Sequence, residues 1–380
     1  MSFGVEPNVK INNDVRSMTL FRCVPRVPML LNSHHNYGNG VKIFITGGTG
    51  YIGSHCAVRF AEEGHHVALY DNLHNSDARV VDRIRELVRG SLTFYHADVG
   101  DEKTLERSLQ KEQADIILHC AGLKSISESI AMPDRYRSVN LGGLRSLLRA
   151  MHACEVKKII FSGSASIYGR PDSLPITEDA TLDPQSPYAQ TKLESEQMLQ
   201  TWCQEHADSS AVVLRYFNPV GAHASTRIGE NPKGIPTNLM PILCQVASQV
   251  RPRLDIYGHD YATPDGTAIR DYIHIEDLAQ AHVDAINFLA STLGFHVFNI
   301  GTSRGASVLE LMKCFEKVNS IDIPHQFLPR RAGDSEALYT SFEHAHKKLG
   351  WYPQRDLASM CASAWQFHQS MALRLGRIGS

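Results

Sequence analysis

Long apolar runs and an excess of charge of either sign are both missing from this 380-residue sequence. No stretch approaches the ~18 consecutive apolar residues that a membrane-spanning helix needs, so we expect no membrane partner. The 38 Lys and Arg residues are interspersed with 40 Asp and Glu residues, which leaves a formal net charge of -2 and no basic stripe for nucleic acid. The partner that remains is a small molecule or another protein.

Motifs for metal binding and disulfide formation are missing as well. The eight cysteines are scattered, with no C-x-x-C pair and several inside apolar runs, as in reduced core residues of a cytoplasmic protein. Among the nineteen histidines, the pairs at 34–35 and 65–66 are adjacent rather than at ligand spacing, and no H-E-x-x-H occurs. We therefore expect no bound metal.

Residues 1–40 lack a secretory signal and an uninterrupted amphipathic helix. Arg16, Arg22 and Arg26 flank short apolar pieces, without a secretory apolar segment followed by a small-residue cleavage site. The segment contains Arg and is poor in acid, which leaves an organelle-targeting peptide as an alternative, but Asn and Pro residues interrupt any amphipathic helix. We predict a disordered N-terminal extension.

From Val41 onward, apolar runs of strand length alternate with segments of roughly 15 to 30 residues, long enough for a crossover helix. The runs are KIFIT at 42–46, HVALYD at 66–71, LTFYHAD at 92–98, DIILHCAG at 115–122, KKIIFSGS at 157–164 and AVVLRYFN at 211–218. Near-continuous apolar strands are typical of parallel sheets covered on both faces. The pattern predicts an α/β fold, a doubly wound parallel sheet of the Rossmann type, over residues 41–220, with ligands beyond the carboxyl ends of the strands.

The sequence after Asn218 changes in character. It is rich in Pro and Gly through about His274, which predicts a separate, loop-heavy lobe. Residues 276–293 have the apolar spacing of a helix, and residues 296–301 have that of a strand. We predict that both pack with the central sheet, so residues 276–302 belong with the first domain. We assign residues 221–275 and 303–375 to a smaller mixed α/β lobe that binds the substrate.

A glycine-rich run, FITGGTGYIG, joins the first predicted strand to a helix. Such a turn brings backbone N–H groups and the positive end of the helix against a phosphate, where any Cβ would collide. The run contains Gly-x-Gly-x-x-Gly as Gly48, Gly50 and Gly53, with Gly47 three residues before Gly50. The second strand ends in Asp71, where a carboxylate accepts hydrogen bonds from the adenosine ribose and disfavours a 2′-phosphate. The sequence therefore predicts NAD rather than NADP.

Tyr188 and Lys192 lie four residues apart in SPYAQTKLESEQML. Ser186 and Pro187 can start a helix there, which places both side chains on one face. A neighbouring ammonium and an oxidised nicotinamide would lower the phenol pKa and favour the phenolate, a base for alcohol oxidation. The pair alone is weak evidence, because thirteen tyrosines give on the order of half a chance match per chain. Ser164, at the end of KKIIFSGS, adds a hydroxyl to the same crevice, and together the three residues predict a proton relay for alcohol-to-ketone chemistry.

Longer runs of the sequence carry a family resemblance. They are TGGTGYIGSH, DNLHNS, AGLKSISES, PQSPYAQTKLESE, LRYFNPVGAH, GIPTNLMP, DGTAIRDYIHIEDLA and PRRAGD. On these motifs, residues 42–365 resemble the extended short-chain dehydrogenase/reductase family and, within it, the UDP-glucose 4-epimerases. Gly142, Gly143 and Gly163 depart from the family pattern, but none of them is a predicted catalytic group.

The resemblance implies an NAD-dependent epimerase that inverts C4 of a UDP-hexose, UDP-glucose or UDP-galactose. Tyr188 would take the proton of the sugar 4-hydroxyl, Lys192 would bind the nicotinamide ribose, and Ser164 would help to shuttle the proton. The hydride would pass to NAD and return to the other face of the 4-keto sugar after the sugar rotates about its pyrophosphate. The implied NAD site comprises Gly47, Gly50, Tyr51, Ile52, Gly53, Asp71, Asn72, Asn75, Asp98, Val99, Ala121, Gly122, Lys124, Asn140, Tyr188, Lys192 and Tyr216. The implied UDP-sugar site comprises Ser164, Tyr188, Asn218, Asn238, Leu239, Tyr257, Arg270, Arg331, Asp334 and Leu338.

The resemblance leaves the sugar open. Leu338 falls where the family places a residue that limits room for a 2-acetamido group, and leucine is intermediate between the bulky tyrosine that excludes this group and the smaller residues that admit it. A one-residue shift of the alignment would put Tyr339 there instead. A 4-epimerase of UDP-N-acetylhexosamines, UDP-pentoses or UDP-uronates is therefore an alternative.

Two other classes of protein are also alternatives. A sugar-nucleotide 4,6-dehydratase needs an added acid/base pair, usually with an acid directly after the strand-five hydroxyls, where this sequence has Ala165 and Ser166. A non-catalytic NAD-binding protein need not keep Tyr188 and Lys192. Two predicted helices, at 133–155 and 186–207, would pair across a two-fold axis, as they commonly do in relatives, and indicate a homodimer.

Overall fold

The computed structural model describes residues 40–88, 92–331 and 334–374, so the predicted N-terminal extension lies outside the described residues apart from Gly40. The strands are β1 Lys42–Thr46, β2 His66–Asp71, β3 Leu92–His96, β4 Ile116–His119, β5 Lys158–Ser164, β6 Ser210–Tyr216, β7 Asn218–Val220, β8 Leu254–Tyr257, β9 Ile269–His274, β10 Gly294–Ile300, β11 Gly305–Ser307, β12 His325–Leu328 and β13 Ala337–Leu338. The helices are α1 Tyr51–Glu62, α2 Arg79–Leu87, α3 Glu102–Glu112, α4 Ile126–Ala131, α5 Pro133–Tyr136, α6 Gly142–Ala153, α7 Pro187–Glu205, α8 Leu239–Ala247, α9 Ile275–Leu289, α10 Val308–Asn319, α11 Glu343–Leu349 and α12 Leu357–Arg374.

Seven strands form a central parallel sheet in the order β10-β6-β5-β4-β1-β2-β3. This confirms the predicted doubly wound α/β fold, including the return of a late strand, β10, to its edge. The strand order reverses at β1, because the chain crosses from β3 at one edge back to β4 on the other side of β1. An open α/β sheet binds its ligand in the crevice at this reversal, beyond the carboxyl ends of the strands.

Helices bury both faces of the sheet, which explains the near-continuous apolar strands. In β1, Ile43 and Ile45 pack on one face together with side chains of α1 and α9. Phe44, between them, packs on the other face with side chains of α3, α6 and α7. A one-residue slip would exchange the two faces, so this packing fixes the register of β1 and the position of the glycine-rich turn that follows it.

The second lobe has small sheets and an apolar core of its own. β9 pairs in parallel with β7 and β13 and antiparallel with β11, while β8 pairs with β12. Leu243 of α8, Phe315 of α10 and Trp365 of α12 belong to one buried cluster, distinct from those on the central sheet. The stretch predicted to be loop-heavy thus contains α8, β8, β9 and most of β7, since its apolar residues pack against residues far along the chain.

The helix that carries the predicted catalytic pair begins as expected. Ser186 accepts a hydrogen bond from the backbone N–H of Ala189 at 3.2 Å, and Pro187 occupies the first position of α7. The other long helix, predicted at 133–155, is α5 followed by a π-helical turn, Arg137–Leu141, and then α6. Across the three described ranges, no helix has both the length and the apolar character needed to cross a membrane.

Candidate active site

A cleft of about 1180 Å³ opens at the carboxyl ends of the central strands, and the second lobe forms its other wall. It brings together every residue of the predicted site except Asn140. The lining residues on the side of the central sheet are Gly47, Gly50, Tyr51, Ile52, Gly53, Asp71, Asn72, Asn75, Asp98, Val99, Ala121, Gly122, Lys124, Ser164, Tyr188, Lys192 and Tyr216. Those toward the second lobe are Asn218, Asn238, Leu239, Tyr257, Arg270, Arg331, Asp334 and Leu338.

The glycine-rich turn fits a bound dinucleotide. Gly47 has a φ of +70°, and a Cβ there would lie 2.6 Å from the backbone nitrogen of Ala121. A Cβ on Gly53 would lie 2.3 Å from the Gly47 carbonyl oxygen, so both glycines are needed for close packing. A Cβ on Gly50 would meet only that oxygen, at 3.2 Å, and would otherwise point into open space. Because α1 begins at the next residue, Gly50 keeps the N-terminal N–H groups of this helix open to a phosphate.

Asp71 lies where the sequence predicts it, at the end of β2. Its carboxylate accepts backbone N–H groups from Thr49 at 3.1 Å and Leu73 at 2.8 Å, which holds it between the glycine-rich turn and the loop after β2. The next residue, Asn72, donates its side-chain amide to Asp98 at 2.6 Å. Both carboxylates line the cleft and can accept hydrogen bonds from ribose hydroxyls there.

Asn140 lies behind the wall of the cleft rather than on it. Its amide oxygen accepts the Leu123 N–H at 2.8 Å, and its amide nitrogen donates to the Leu123 carbonyl at 3.1 Å and to the Thr191 hydroxyl at 3.0 Å. These bonds tie the loop after β4 to α7. Asn140 is thus the one residue of the predicted cofactor site that does not line the cleft.

The three residues of the predicted proton relay lie where β5 ends against α7. Lys192 is 8% exposed, and its Nζ donates to the Ser162 carbonyl at 2.6 Å and lies 6.0 Å from the centre of the Tyr188 ring. Ser164 Oγ is 2.9 Å from Ser166 Oγ, which adds a second hydroxyl to the cleft. The helical spacing of four residues thus places the half-buried phenol and the buried ammonium in one corner of the cleft.

Burial dominates the electrostatics of this corner. It raises the pKa of the Tyr188 phenol, and interaction with the Ser164 hydroxyl lowers this pKa only in part. It also lowers the pKa of Lys192 to about 8. Desolvation, the larger cause, thus opposes the lowering of the phenol pKa that a neighbouring ammonium and an oxidised nicotinamide would bring.

A buried ion pair anchors α7 to the central sheet. Arg215 of β6 donates from Nη2 to Glu196 Oε2 at 2.7 Å and from Nε to both carboxylate oxygens at 3.2 Å. Its Nη1 donates to the Tyr168 hydroxyl at 2.7 Å and to the Glu178 carbonyl at 3.1 Å. Since Glu196 lies one helical turn after Lys192, this network fixes the helix that carries Tyr188.

Two arginines line the lobe side of the cleft. Arg270 forms an ion pair with Asp334 and donates to the Ile269 carbonyl at 2.7 Å. The guanidinium carbon of Arg331 lies 3.9 Å from the centre of the Tyr257 ring. A pair of arginines beside an aromatic ring suits a diphosphate joined to a planar base.

The structure places Leu338, not Tyr339, on the cleft. Leu338 lies on β13 opposite Arg270 of β9 and is one of the lining residues. The Tyr339 ring instead lies beside Gly305, where an added Cβ would come within 3.1 Å of it. The alternative register that would put Tyr339 in the pocket therefore does not hold for this backbone.

Packing accounts for two of the three glycines that depart from the family pattern. A Cβ on Gly163 would lie 2.8 Å from the Leu214 carbonyl oxygen of the neighbouring strand. A Cβ on Gly143 would lie 2.7 Å from Val99 Cγ2. Nothing in the structure explains Gly142.

The sequence analysis missed Ser166, Arg83, Glu230 and Lys233, which also line the cleft. The available signal was their closeness to GIPTNLMP, one of the motifs behind the resemblance, because Lys233 directly precedes this motif and Glu230 lies four residues before it. Arg83 gave no signal, because a cation on a short amphipathic helix such as α2 is usually solvated.

Fold and cleft together define a nucleotide-binding enzyme of the short-chain dehydrogenase/reductase type. The model of the NAD dependent epimerase/dehydratase family matches residues 43–301, and the chain belongs to this family.

Within the family, the chain is similar to UDP-glucose 4-epimerases. It is 44% identical over 328 residues to that of Bacillus subtilis (strain 168), which covers 86% of this chain and 97% of the relative. The solved structure of UDP-glucose-4-epimerase from Stenotrophomonas maltophila, with bound NAD and formylated UDP-arabinopyranose, is 41% identical, with a TM-score of 0.86 and coverage of 88% of this chain and 99% of that one. The Bifidobacterium longum UDP-glucose 4-epimerase, in complex with NAD+ and UDP, is also 41% identical, with a TM-score of 0.84 and coverage of 87% and 98%. The predicted resemblance is confirmed.

Proposed function

We propose that this protein is an NAD-dependent epimerase that interconverts UDP-glucose and UDP-galactose by inverting C4. The observation that carries the proposal is the position of Tyr188, Lys192 and Ser164, which face one cleft between the glycine-rich turn and the paired arginines of the second lobe. An alcohol held there by its diphosphate would lie next to a proton acceptor.

NAD, when bound, supplies the hydride acceptor and donor for the sugar C4 and a positive charge next to Tyr188. The residues that would hold it fit a dinucleotide. The open position at Gly50 and the start of α1 suit the pyrophosphate, and the carboxylate of Asp71 suits the adenosine ribose. Lys192 reaches the corner where the nicotinamide ribose would lie.

The side chains of this chain handle the proton. Tyr188, as phenolate, accepts the proton of the sugar 4-hydroxyl and gives it back when the alcohol re-forms. Ser164 lines the same cleft and interacts with the phenol, so it can relay that proton. The Lys192 ammonium favours the phenolate, in the same direction as the nicotinamide charge and against the cost of burial.

Inversion requires that the 4-keto sugar turn over while its nucleotide stays bound. Arg270 and Arg331 suit the diphosphate, and Tyr257 suits the uracil, so the second lobe can hold UDP through both half-reactions. Because the intermediate remains tethered, the return step is effectively intramolecular.

The structure offers little support for elimination of water by the same relay. Ala165 and Ser166 follow the strand-five hydroxyls, and Ser166 hydrogen-bonds to Ser164. A 4,6-dehydratase places an acid near there, so epimerisation is the better proposal.

The test is to incubate the purified protein with UDP-galactose, without added NAD, and to assay UDP-glucose. We expect conversion with retained cofactor. A folded, NAD-containing protein that converts neither UDP-galactose nor UDP-glucose would overturn the proposal.

Leu338→Tyr should narrow the range of sugars. We expect the variant to lose roughly tenfold or more in kcat/KM for UDP-N-acetylgalactosamine, relative to the native protein, while kcat/KM for UDP-galactose changes less than about threefold. The physical reason is that a tyrosine at this position of the wall fills space that a 2-acetamido group would need. Equal effects on the two sugars would contradict this role, and Tyr339→Phe, off the cleft, is the control.

We further propose that the protein is a cytoplasmic homodimer. The segment from α5 through α6 lies beside α7, and Arg137 and Glu194 form an ion pair between them at 2.7 Å. Ile130 and Met132, next to these helices, are 65% and 47% exposed. Light scattering with size-exclusion chromatography tests the assembly, and a monomer at micromolar concentration would contradict it.

A further inference from the structure

Glu230 is a buried carboxylate between the two halves of the cleft. Its side chain is 7% exposed and lines the cleft. Its Oε1 accepts hydrogen bonds from Asn238 Nδ2 at 2.6 Å and from Lys124 Nζ at 3.3 Å. Its Oε2 is buried and has no hydrogen-bond partner in the described part of the chain.

The two donors to Glu230 belong to different halves of the site. Lys124 follows β4 and lies in the implied NAD half. Asn238 precedes α8 and lies in the implied UDP-sugar half. Although Asn238 is at the N-cap position of α8, its side chain makes no capping hydrogen bond and is turned toward Glu230 instead. The carboxylate therefore joins one predicted contact residue of each ligand.

A second hydrogen bond also joins the second lobe to the central domain. Lys233, three residues after Glu230, donates from Nζ to the Leu73 carbonyl at 2.6 Å. Leu73 lies in the loop after β2 that Asp71 and Asn72 begin. The segment 230–238 of the second lobe is thus bound to two loops of the central domain, and these loops flank the implied cofactor.

We propose that Glu230 is a positioning residue that couples occupancy of the NAD half to occupancy of the UDP-sugar half. This inference rests on the proposed function. A buried carboxylate oxygen without a donor is unfavourable, and a ligand that orders Lys124 or the segment 230–238 can bring a donor to it. Once one ligand has done so, the second ligand meets an ordered Lys124 or Asn238, so each favours the binding of the other.

Coupling of this kind has a practical consequence for the reaction. NAD must stay bound while the keto sugar turns over, and a bound UDP group would hold it there through Glu230. Glu230 touches no reacting atom, so its loss should raise the KM for UDP-galactose more than it lowers kcat.

The experiment uses the NAD-loaded protein and UDP as the probe. The rate of NAD release during dialysis is measured with and without saturating UDP, for the native protein, Glu230→Gln and the control Glu276→Gln. Glu276 is a good match, because it is a partly buried carboxylate paired with Arg355 at 2.8 Å and lies off the cleft. We expect UDP to slow NAD release about tenfold in the native protein and the control, and less than about twofold in Glu230→Gln.

A slowing factor in Glu230→Gln equal to that of the native protein would overturn the inference, as would no slowing in the native protein. If Glu230→Gln fails to fold, Glu230→Asp retains the charge but is too short to reach both donors, and the same loss of slowing is expected. Conversion of UDP-galactose by the native preparation is assayed in parallel. No conversion would reject the proposed function, whereas conversion with unaltered coupling in the variant would reject only the role of Glu230.

Discussion

Tyr188→Phe should lower the kcat for conversion of UDP-galactose by about three orders of magnitude and leave NAD bound. Phenylalanine fills the same buried space but has no oxygen to accept the proton of the sugar 4-hydroxyl. Since the ring contacts that support the cofactor pocket remain, the NAD content after gel filtration should match that of the native protein. Both quantities can be measured on one preparation.

Tyr136→Phe is the matched control for this change. The Tyr136 ring meets the Tyr188 ring edge-on at 6.5 Å, but its hydroxyl donates to Glu128 at 2.9 Å and does not face the relay. We expect its kcat to stay within about threefold of the native value, with a stability loss of about 1 kcal/mol from the missing hydrogen bond. If Tyr188→Phe kept a tenth or more of native activity, Tyr188 would not be the base.

Arg215→Met should have the largest effect on stability. Arg215 and Glu196 have side-chain exposures of 5% and 4%, and removing the guanidinium leaves a carboxylate buried without its charge partner. Breaking a buried pair in this way costs about 3–5 kcal/mol. The free energy of unfolding, measured in urea with activity followed in parallel, should fall by this amount, and activity should be lost at lower urea because α7 loses its anchor.

Two further variants test whether the loss of stability comes from the buried ion pair rather than from the loss of any arginine. Arg149 and Glu102 form a surface ion pair, with side-chain exposures of 61% and 39%. Arg149→Met should therefore lower the free energy of unfolding by less than about 1 kcal/mol. The double variant Arg215→Met/Glu196→Met should be more stable than Arg215→Met alone, because no unpaired charge is then buried. If Arg215→Met and Arg149→Met lost the same stability, the anchoring role would be wrong.

The central sheet could be predicted from the sequence because local pattern and tertiary packing agree there. Each apolar run is buried on both faces, and the glycine-rich turn follows a strand whose register is fixed by Ile43, Phe44 and Ile45. The second lobe was harder, because α8 and β8 owe their stability to contacts with residues near 315 and 365. Local composition, rich in Pro and Gly, indicated only loops.

Part of the candidate site could also be predicted from the sequence, and part depends on the folded structure. Helical spacing put Tyr188 and Lys192 on one face, but it could not show that Nζ is held by the Ser162 carbonyl or that burial would raise the phenol pKa. Asn140 is inside a π-helical turn, which rotates its side chain toward the loop after β4, and no periodicity predicts such a turn. Glu230 depends on a loop that crosses between the two halves of the cleft, so only the folded structure places it beside Lys124.

In the proposed reaction, hydrogen leaves C4 of the sugar and returns to the same carbon within one site. UDP-galactose that carries deuterium at C4 can be converted by the purified protein without added NAD, and the product examined by NMR and mass spectrometry. We expect UDP-glucose with the deuterium retained at C4. Loss of the label to water, or exchange at C5 with solvent, would contradict it.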